Sequence, residues 1–489
     1  MDYYHHPGVN WIINIKIKMI LQGKTVLVLG MGETGLSMVK WLVRQGATVR
    51  AADNRLEPPH WKEIMETHPA IKVYKGKFED KVFDDIEMIA MSPGVPLADP
   101  LVQQAVQRGV PVIGDMVLFT WALEQSGMPK PKIVAITGSN GKTTVTAMVG
   151  AMLKKSGWNV EVAGNIGPAV LNALMQQIDA GNWPQAWVLE TSSFQLETTH
   201  NLNADVATVL NLSEDHLDRY TSMQDYVAAK ARVFLHEKSN EGIQVLNRND
   251  PGVCAMALAG RKQITFGLDE SPTQTDFGII HDGDDLWLME GDLQLMKTSE
   301  LVVNGLHNAI NALAALAMCR ALGASMDPLL SALREFRGLP HRMEKVAAFN
   351  GVTFYDDSKS TNVGATVAAL NGMKQNVILI AGGDGKGQDF SLMKQAVANN
   401  VRAVVLIGRD AGIIADELKD CGVPLHFVVT MEEAMQKSFL LAQAGDVVLL
   451  SPACASFDMF RNYIHRAEVF VAAVRDIENK FFSFGQKKH

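Results

Sequence analysis

The sequence predicts an α/β protein of three successive domains, each built on a sheet of parallel strands covered by helices on both faces. Three observations lead there. Apolar runs of four to six residues recur along the chain, separated by amphipathic segments of helix length, which is how strands buried on both faces read. Two glycine-rich loops each follow one of these runs and open a helix, as phosphate-binding turns of open α/β sheets do. A length of 489 residues corresponds to about three domains of ordinary size.

Residues 25–29 are the first apolar run, 35–44 have helical spacing, and 47–52 read as the second strand. Between the first strand and the helix, Gly30-Met31-Gly32-Glu33-Thr34-Gly35 matches GxGxxG, and Asp53 follows 18 residues after the last glycine. This predicts a Rossmann-like N-terminal domain, whose glycines let backbone amides and a helix N-terminus approach a diphosphate. A uridine diphosphate fits that geometry as well as a dinucleotide does, so the motif alone leaves an NAD-dependent oxidoreductase open, as well as a tight turn with no ligand. Runs at 88–91 and 110–113 are further strands, and a helical connector starts near Asp115. Met128-Pro129-Lys130-Pro131 then breaks the chain before a fresh strand.

The second loop is Thr137-Gly138-Ser139-Asn140-Gly141-Lys142-Thr143-Thr144, after a strand at 133–136 and before a helix at 145–155. Backbone amides and Lys142 can surround β- and γ-phosphates there, and the Thr143 hydroxyl can sit on Mg²⁺. Ile136 stands where GxxxxGK[ST] has its first glycine, but strand, loop and helix are in register. A central P-loop ATPase-like parallel-sheet domain is expected. Its strands at 186–189 and 206–210 are followed by Glu190 and His216. A lone glutamate at a strand end is usually solvated, and a lone histidine is usually a surface or packing residue. The hydroxyls of Thr191, Ser192 and Ser193 and the register with the phosphate loop favour metal ligation for Glu190, while His216 sits among Glu214, Asp215 and Asp218. Asp282-Gly283-Asp284-Asp285 predicts a β-hairpin within 278–295, and 308–334 reads as a long helical stretch. Gly338-Leu339-Pro340 ends it, and strands at 377–380, 403–407 and 447–450 predict a C-terminal Rossmann-like domain. The expected organisation is an extension at 1–22, then domains at 23–114, 115–338 and 339–489.

Lys and Arg total 45 against 53 Asp and Glu, a net charge of −8, so a general attraction to nucleic acid or to an anionic membrane is not expected. Small anions held by local groups stay open. Hydrophobic residues at 47% and charged residues at 20% exclude intrinsic disorder. Cys254, Cys319, Cys421 and Cys454 form no CxxC pair, which excludes a disulfide framework or a zinc ribbon and suits a reducing compartment. No stretch approaches the roughly 20 consecutive apolar residues of a membrane span. Lysines interrupt Trp11-Ile12-Ile13-Asn14-Ile15-Lys16-Ile17-Lys18 and no small-residue cleavage site follows, so the extension does not read as a signal peptide. Met19 is an alternative start. A cytoplasmic protein is expected.

Ten segments, in order, resemble the Mur ligase family of ATP-dependent ligases that build the peptidoglycan stem peptide. The first is Thr137 to Thr144, followed by Gly164-Asn165-Ile166-Gly167 and Glu190-Thr191-Ser192-Ser193-Phe194-Gln195. Asn211-Leu212-Ser213-Glu214-Asp215-His216-Leu217-Asp218 and Tyr226-Val227-Ala228-Ala229-Lys230 come next, then Gly305-Leu306-His307-Asn308 through Asn311. Gly338-Leu339-Pro340-His341-Arg342, Asp357-Ser358-Lys359-Ser360-Thr361-Asn362 and Gly382-Gly383-Asp384-Gly385-Lys386 follow, with Ser451-Pro452-Ala453-Cys454-Ala455-Ser456-Phe457-Asp458 near the end. Together with the GxGxxG loop they leave only the extension uncovered. The segment from Asp357 and the one from Ser451 look like those of the D-glutamate-adding member, whereas siblings adding other amino acids carry histidine-containing segments in the first place.

The resemblance implies a reaction and a set of roles. ATP phosphorylates the carboxylate of UDP-N-acetylmuramoyl-L-alanine, and the amine of D-glutamate attacks the acyl phosphate through a tetrahedral intermediate, giving ADP and phosphate. Gly138, Ser139, Asn140, Gly141, Lys142, Thr143 and Thr144 would hold ATP, with Asn311, Arg342 and Asp357. Two Mg²⁺ ions are implied, one on Thr143 and Glu190, a second on His216 and a Lys230 carbamylated by CO₂. Lys142, His216 and Lys230 would carry catalysis. Glu33, Thr34, Asn54, Arg55, Gly94, Asn165 and His216 match positions contacting the UDP-sugar substrate, and Lys359, Thr361, Lys386, Ser456 and Phe457 match those binding D-glutamate. Two carboxylates need at least one cation and several N–H or O–H donors, and these residues have them. Small-molecule substrates, a monomer and a place in cell-wall synthesis, hence cell shape and division, complete the expectation. A sibling ligase, the oxidoreductase and a non-catalytic nucleotide binder are the rivals.

Overall fold

A computed structural model describes residues 21–236, 240–283, 285–303 and 305–485. The extension lies outside the described residues apart from Leu21 and Gln22, as does Asp284 of the hairpin turn. The described chain forms two compact units. One takes in the residues up to Leu212, Gln224–Lys297 and Asn311–Arg334; the other takes in Ser213–Met223, Thr298–Ile310 and the residues from Glu335 onward.

The first unit holds two sheets. β1 (Thr25–Leu29), β2 (Thr48–Asp53), β3 (Lys72–Lys75), β4 (Met88–Met91) and β5 (Val112–Ile113) form an all-parallel sheet of order β3-β2-β1-β4-β5. Its apolar runs are continuous because alternate residues serve different faces. Val26 and Val28 join one core with Met88 and Ala90, and Leu27 and Leu29 join another with Ile89 and Met91. The strand order reverses between β1 and β4, with β2 and β3 on one side and β5 on the other, which opens a crevice at their carboxyl ends.

The second sheet comprises β6 (Lys132–Thr137), β7 (Val160–Gly164), β8 (Ala186–Glu190), β9 (Val206–Val209), β10 (Ile243–Asn247), β11 (Gln263–Phe266), β12 (Phe277–Asp282), β13 (Asp285–Glu290) and β14 (Leu293–Lys297). Their order is β14-β13-β12-β11-β10-β9-β6-β8-β7. The expected hairpin is present as β12–β13, but β14 adds a second antiparallel pairing. The sheet is therefore parallel with an antiparallel extension that is one strand longer than the expected hairpin. The antiparallel strands sit at one end, so the parallel part around β6 keeps its ligand-binding edge.

The helix Asp115–Gln125 joins the two sheets of this unit. Phe119 lies edge-on to Trp187 of β8 at 4.9 Å between ring centres, a contact contributing about 1 kcal/mol beyond the area it buries. Asp115, its first residue, is fully buried and accepts a hydrogen bond from Gln195 Nε2 at 3.0 Å. Burial raises its carboxyl to about 6, with the Gln195 bond opposing. Because the folded value exceeds the unfolded one, the native state binds the proton more tightly, and stability is lost as pH rises from about 4 through 6. Asp115→Asn is expected to leave stability unchanged near pH 4 and to raise it at pH 7.5 by about 2–3 kcal/mol. Denaturant unfolding of both proteins across that range checks it, and a pH-independent difference would contradict it.

The second unit carries β15 (Glu344–Phe349), β16 (Val352–Asp356), β17 (Val377–Ala381), β18 (Val401–Leu406), β19 (Leu425–Phe427) and β20 (Val447–Leu450), in the order β15-β16-β20-β17-β18-β19. Only β15 is antiparallel to its neighbour. Period-two burial recurs, with Leu379 and Leu449 in one core and Ile378, Ile380 and Leu450 in the other. The last strand in sequence, β20, inserts between β16 and β17. Three loops from adjacent carboxyl ends are thereby brought together. The long helical stretch expected at 308–334 consists of two helices, Leu306–Ala321 and Met326–Glu335, with Gly323 between them at φ +87°.

Candidate active site

At the crevice of the first sheet, the GxGxxG turn is fixed by close backbone approach. A Cβ at Gly35 would lie 1.8 Å from the Gly30 carbonyl oxygen, so no other residue fits there. Ser92 Oγ, after β4, donates to the same carbonyl at 3.1 Å, which places the exposed Gly94 beside the turn. Nothing lies within 4 Å of where a Gly94 side chain would start, so that position is open to a ligand. Glu33 and Thr34 begin the helix Glu33–Arg44, and Asn54 and Arg55 follow β2. Asp53 is buried and fully engaged. Its Oδ2 accepts from the Met31 amide and Arg55 Nη2, both at 2.7 Å, and its Oδ1 accepts from the Arg55 amide at 2.9 Å and Nε at 2.8 Å. Burial works against the charge, but these donors hold the carboxyl below its usual range. The acidic group that reads a ribose in dinucleotide-binding folds is thus spent on anchoring Arg55. The oxidoreductase reading loses its second support.

The phosphate loop runs from the end of β6 to the helix Lys142–Lys155. Gly138 adopts φ +148° and Gly141 φ +81°, and a Cβ at Gly141 would lie 2.6 Å from Asn311 Oδ1. Asn211, after β9, clamps the loop from one side: its backbone oxygen accepts from the Ser139 amide at 2.9 Å, and its Oδ1 accepts from the Asn140 amide at 2.8 Å. Lys142 Nζ donates to the Gly138 and Ser139 carbonyls at 2.7 and 2.8 Å, so its charge already sits over the loop. Thr143 and Thr144 lie in the first turn of the helix.

Glu190 comes to the other side because β8 pairs with β6, with Ile136 opposite Glu190. It is 1% exposed; Oε1 accepts from Asn165 Nδ2 at 2.7 Å, and Oε2 is buried with no hydrogen-bond partner among the described residues. An unsatisfied buried carboxylate oxygen costs about 1–3 kcal/mol or more, and a hard divalent cation would remove that cost. Glu190 therefore fits a ligand of such a cation. Lys230, 2% exposed on the helix Met223–Ala231, donates from Nζ to Gly138 O at 2.9 Å and lies 4.5 Å from the centre of the Tyr226 ring. The Tyr226 hydroxyl meets Ser139 Oγ at 3.0 Å. Tyr226 and Lys230, four residues apart, thus both reach the loop from one helix face. The sequence reading assigned Tyr226 and Asn211 no role of their own. The i, i+4 spacing of Tyr226 to Lys230 and the position of Asn211 just after a strand were the available signals.

In the second unit, His216 adopts φ +59° and its Nε2 lies 3.5 Å from Asp215 Oδ2. The loop after β16 holds Asp357, Lys359 and Thr361; the loop after β17 holds Lys386; the loop after β20 holds Ser456 and Phe457. Since β16, β20 and β17 are neighbours, all five residues expected around D-glutamate lie in adjoining loops. Asp357 is buried, which raises its carboxyl to about 6 against hydrogen bonds from Ser360 and Ser451 Oγ, the latter at 2.8 Å, and the charge of Arg342. Lys359 Nζ rests 3.8 Å from the centre of the Tyr463 ring. Ser456 is buried and Phe457 is 75% exposed.

Buried Arg466 ties two of these loops together. Its Nε and Nη2 donate to Ser358 Oγ and O at 3.0 and 2.8 Å, and its Nη1 donates to Cys454 O at 3.0 Å. Burial lowers its guanidinium to about 10. Sequence reading did not find it, because an arginine in the helix Tyr463–Gly485 looks like any solvated one.

A phosphate loop, a buried carboxylate with a free oxygen and a separate lysine-lined loop cluster describe an ATP-using ligase. The chain belongs to the Mur ligase family: residues 24–114 match its MurD-like N-terminal domain, 136–319 its middle domain and 341–454 its glutamate ligase domain. Members are ATP-dependent ligases of peptidoglycan precursor synthesis. The chain is 63% identical to the UDP-N-acetylmuramoylalanine--D-glutamate ligase of Nitrosospira multiformis, over 94% of this chain and 97% of that one. It is 62% identical to the enzyme of the same name from Nitrosomonas europaea, over 96% and 99%. Among solved structures it shares the fold of the UDP-N-acetylmuramate-alanine ligase MurC of Thermotoga maritima, with TM-score 0.58 and 20% identity over 92% of this chain and 99% of that one. MurF of Acinetobacter baumannii gives TM-score 0.59 at 17% identity, over 93% and 92%. No helix among the described residues is long and apolar enough to cross a membrane.

Proposed function

We propose that this protein joins D-glutamate to UDP-N-acetylmuramoyl-L-alanine at the expense of ATP. The observation that carries the reading is the buried, half-satisfied Glu190 beside a phosphate loop clamped by Asn211 and Tyr226. That arrangement suits a triphosphate and a cation. Relatives bearing the D-glutamate ligase name support D-glutamate as the acceptor, and the lysines of the second unit suit its carboxylates.

A carboxylate and an amine do not condense in water, so the carboxylate first takes the γ-phosphoryl group of ATP, releasing ADP. The amine then attacks the acyl carbon, loses a proton, and phosphate leaves. The loop amides and Lys142 hold the phosphates in line and stabilise charge on the transferring group. On the family resemblance, Asn311, Arg342 and Asp357 would also contribute to ATP binding. When bound, Mg²⁺ would supply electrophilic neutralisation of the phosphate oxygens; Thr143 and Glu190 would hold one ion, and the family resemblance assigns His216 and a carbamylated Lys230 to a second. Glu33, Thr34, Asn54, Arg55, Gly94, Asn165 and His216 orient the UDP-sugar. Lys359, Thr361, Lys386, Ser456 and Phe457 receive D-glutamate. The three sequence domains, 23–114, 115–338 and 339–489, would each principally handle one of these ligands, and the protein would act as a cytoplasmic monomer.

Phosphate release with ATP and UDP-N-acetylmuramoyl-L-alanine is expected to need D-glutamate and to stay at background with L-alanine or a diamino acid. Turnover with one of those instead would assign a sibling activity.

A further inference from the structure

Lys386 does not wait in the second unit as a bare cation. Its Nζ is paired with a carboxylate oxygen of Asp215, and the two side chains are only 11% and 8% exposed. The pair is held from both ends. Asn362, which caps the helix Val363–Asn371 through Oδ1, turns its Nδ2 to the other Asp215 oxygen at 3.4 Å. The Lys386 amide donates to Asp384 Oδ1 at 3.0 Å, with the residue in left-handed backbone at φ +53°.

A buried ion pair resists being opened by one charge alone, because the abandoned partner is left uncompensated. A plain dicarboxylate reaching Lys386 would take the lysine from Asp215, whose other oxygen faces Asn362 Nδ2 and His216 Nε2 at 3.4 and 3.5 Å, and would bring further negative charge beside it. An amino acid brings both signs, so its carboxylate can take Lys386 while its ammonium takes Asp215, and the count of opposite-charge contacts is preserved.

We propose that Asp215 is the ammonium-binding, specificity-determining residue of the amino-acid site, and that the Lys386–Asp215 pair exchanges for the two ends of the incoming zwitterion. The inference rests on the D-glutamate reading above. The exchange admits amino acids, rejects dicarboxylates of the same length, and directs the amine toward Asp215 rather than leaving it free to turn. Asp215 is a group the sequence motif contained but to which no separate role was given.

Glutarate tests this, since it is D-glutamate without the amine. Binding of both compounds to the full chain is measured by calorimetry with ADP and UDP-N-acetylmuramoyl-L-alanine present, so turnover is not required. In the wild type, D-glutamate is expected to bind about tenfold or more tighter than glutarate. Asp215→Asn should abolish that preference, weakening D-glutamate while leaving glutarate unchanged or tighter, with ADP affinity unmoved. Asp215→Glu should restore part of the preference. Lys386→Met should weaken both compounds, since both need the cation. Equal weakening of the two by Asp215→Asn, or no change in either, would overturn the exchange. If Asp215→Asn does not fold, glutarate binding to the wild type as tightly as D-glutamate would overturn it equally well. Absence of D-glutamate-dependent phosphate release in the wild type would instead remove the reading beneath it.

Discussion

Lys142→Ala is expected to lower ADP formation by about a thousandfold while leaving the fold intact. The magnitude follows from what the side chain does. Its ammonium lies over the loop, donating to the Gly138 and Ser139 carbonyls, where it meets charge that grows on the phosphoryl group during transfer. The loop does not depend on it for shape, because Asn211 holds the Ser139 and Asn140 amides and Tyr226 holds the Ser139 hydroxyl. The check is single-turnover ADP formation together with thermal unfolding. Near-normal turnover would remove Lys142 from the chemistry, and a collapsed melting transition would make its role structural. A non-catalytic nucleotide binder would show neither loss.

Lys230→Ala is expected to cost about a hundredfold or more in turnover, and added formate or acetate should restore part of it. Burial of a lysine against Tyr226 and the Gly138 carbonyl places its end among groups that serve the nucleotide. A carbamate there would present an anion, and a small carboxylate in the space left by alanine would present the same charge. The rescue should be absent in Lys142→Ala, whose defect is a missing cation. Full wild-type activity after rigorous removal of CO₂ and bicarbonate, with no carboxylate rescue of the alanine variant, would exclude the carbamate.

Much of the fold was legible because parallel strands buried on both faces read as unbroken apolar runs. Thr25–Leu29, Met88–Met91 and Val447–Leu450 match their expected spans residue for residue. Strands with polar or half-exposed faces escaped. Lys72–Lys75 reads KVYK at a sheet edge and lacks the signal, as do Gln263–Phe266 and the hairpin partners Glu344–Phe349 and Val352–Asp356. Helix starts were missed by a few residues where glycine loops run directly into the helix, as at Lys142.

The site divides along the same line. Lys142 and Glu190 could be picked out because each stands at the end of an apolar strand or in a loop after one, where a short stretch of sequence fixes both neighbour and geometry; Asp357 came only with the family resemblance, since the strand before it carries no such signal. Arg466 and the partner of Lys386 could not, since Arg466 meets Ser358 across 108 positions and Lys386 meets Asp215 across 171.

By itself, the sequence determined the class of the fold, the two phosphate-type turns and the identity of the groups with chemistry to offer, because those depend on local periodicity and on residues within one loop. Only the tertiary structure decided which strands stand side by side, and therefore that the loops after β16, β20 and β17 adjoin. It alone showed that Asp53 is spent on Arg55, that one oxygen of Glu190 is left over, and that Lys386 already has a counter-ion. Whether a charge is engaged is a matter of distance and burial, and neither is written in the order of residues.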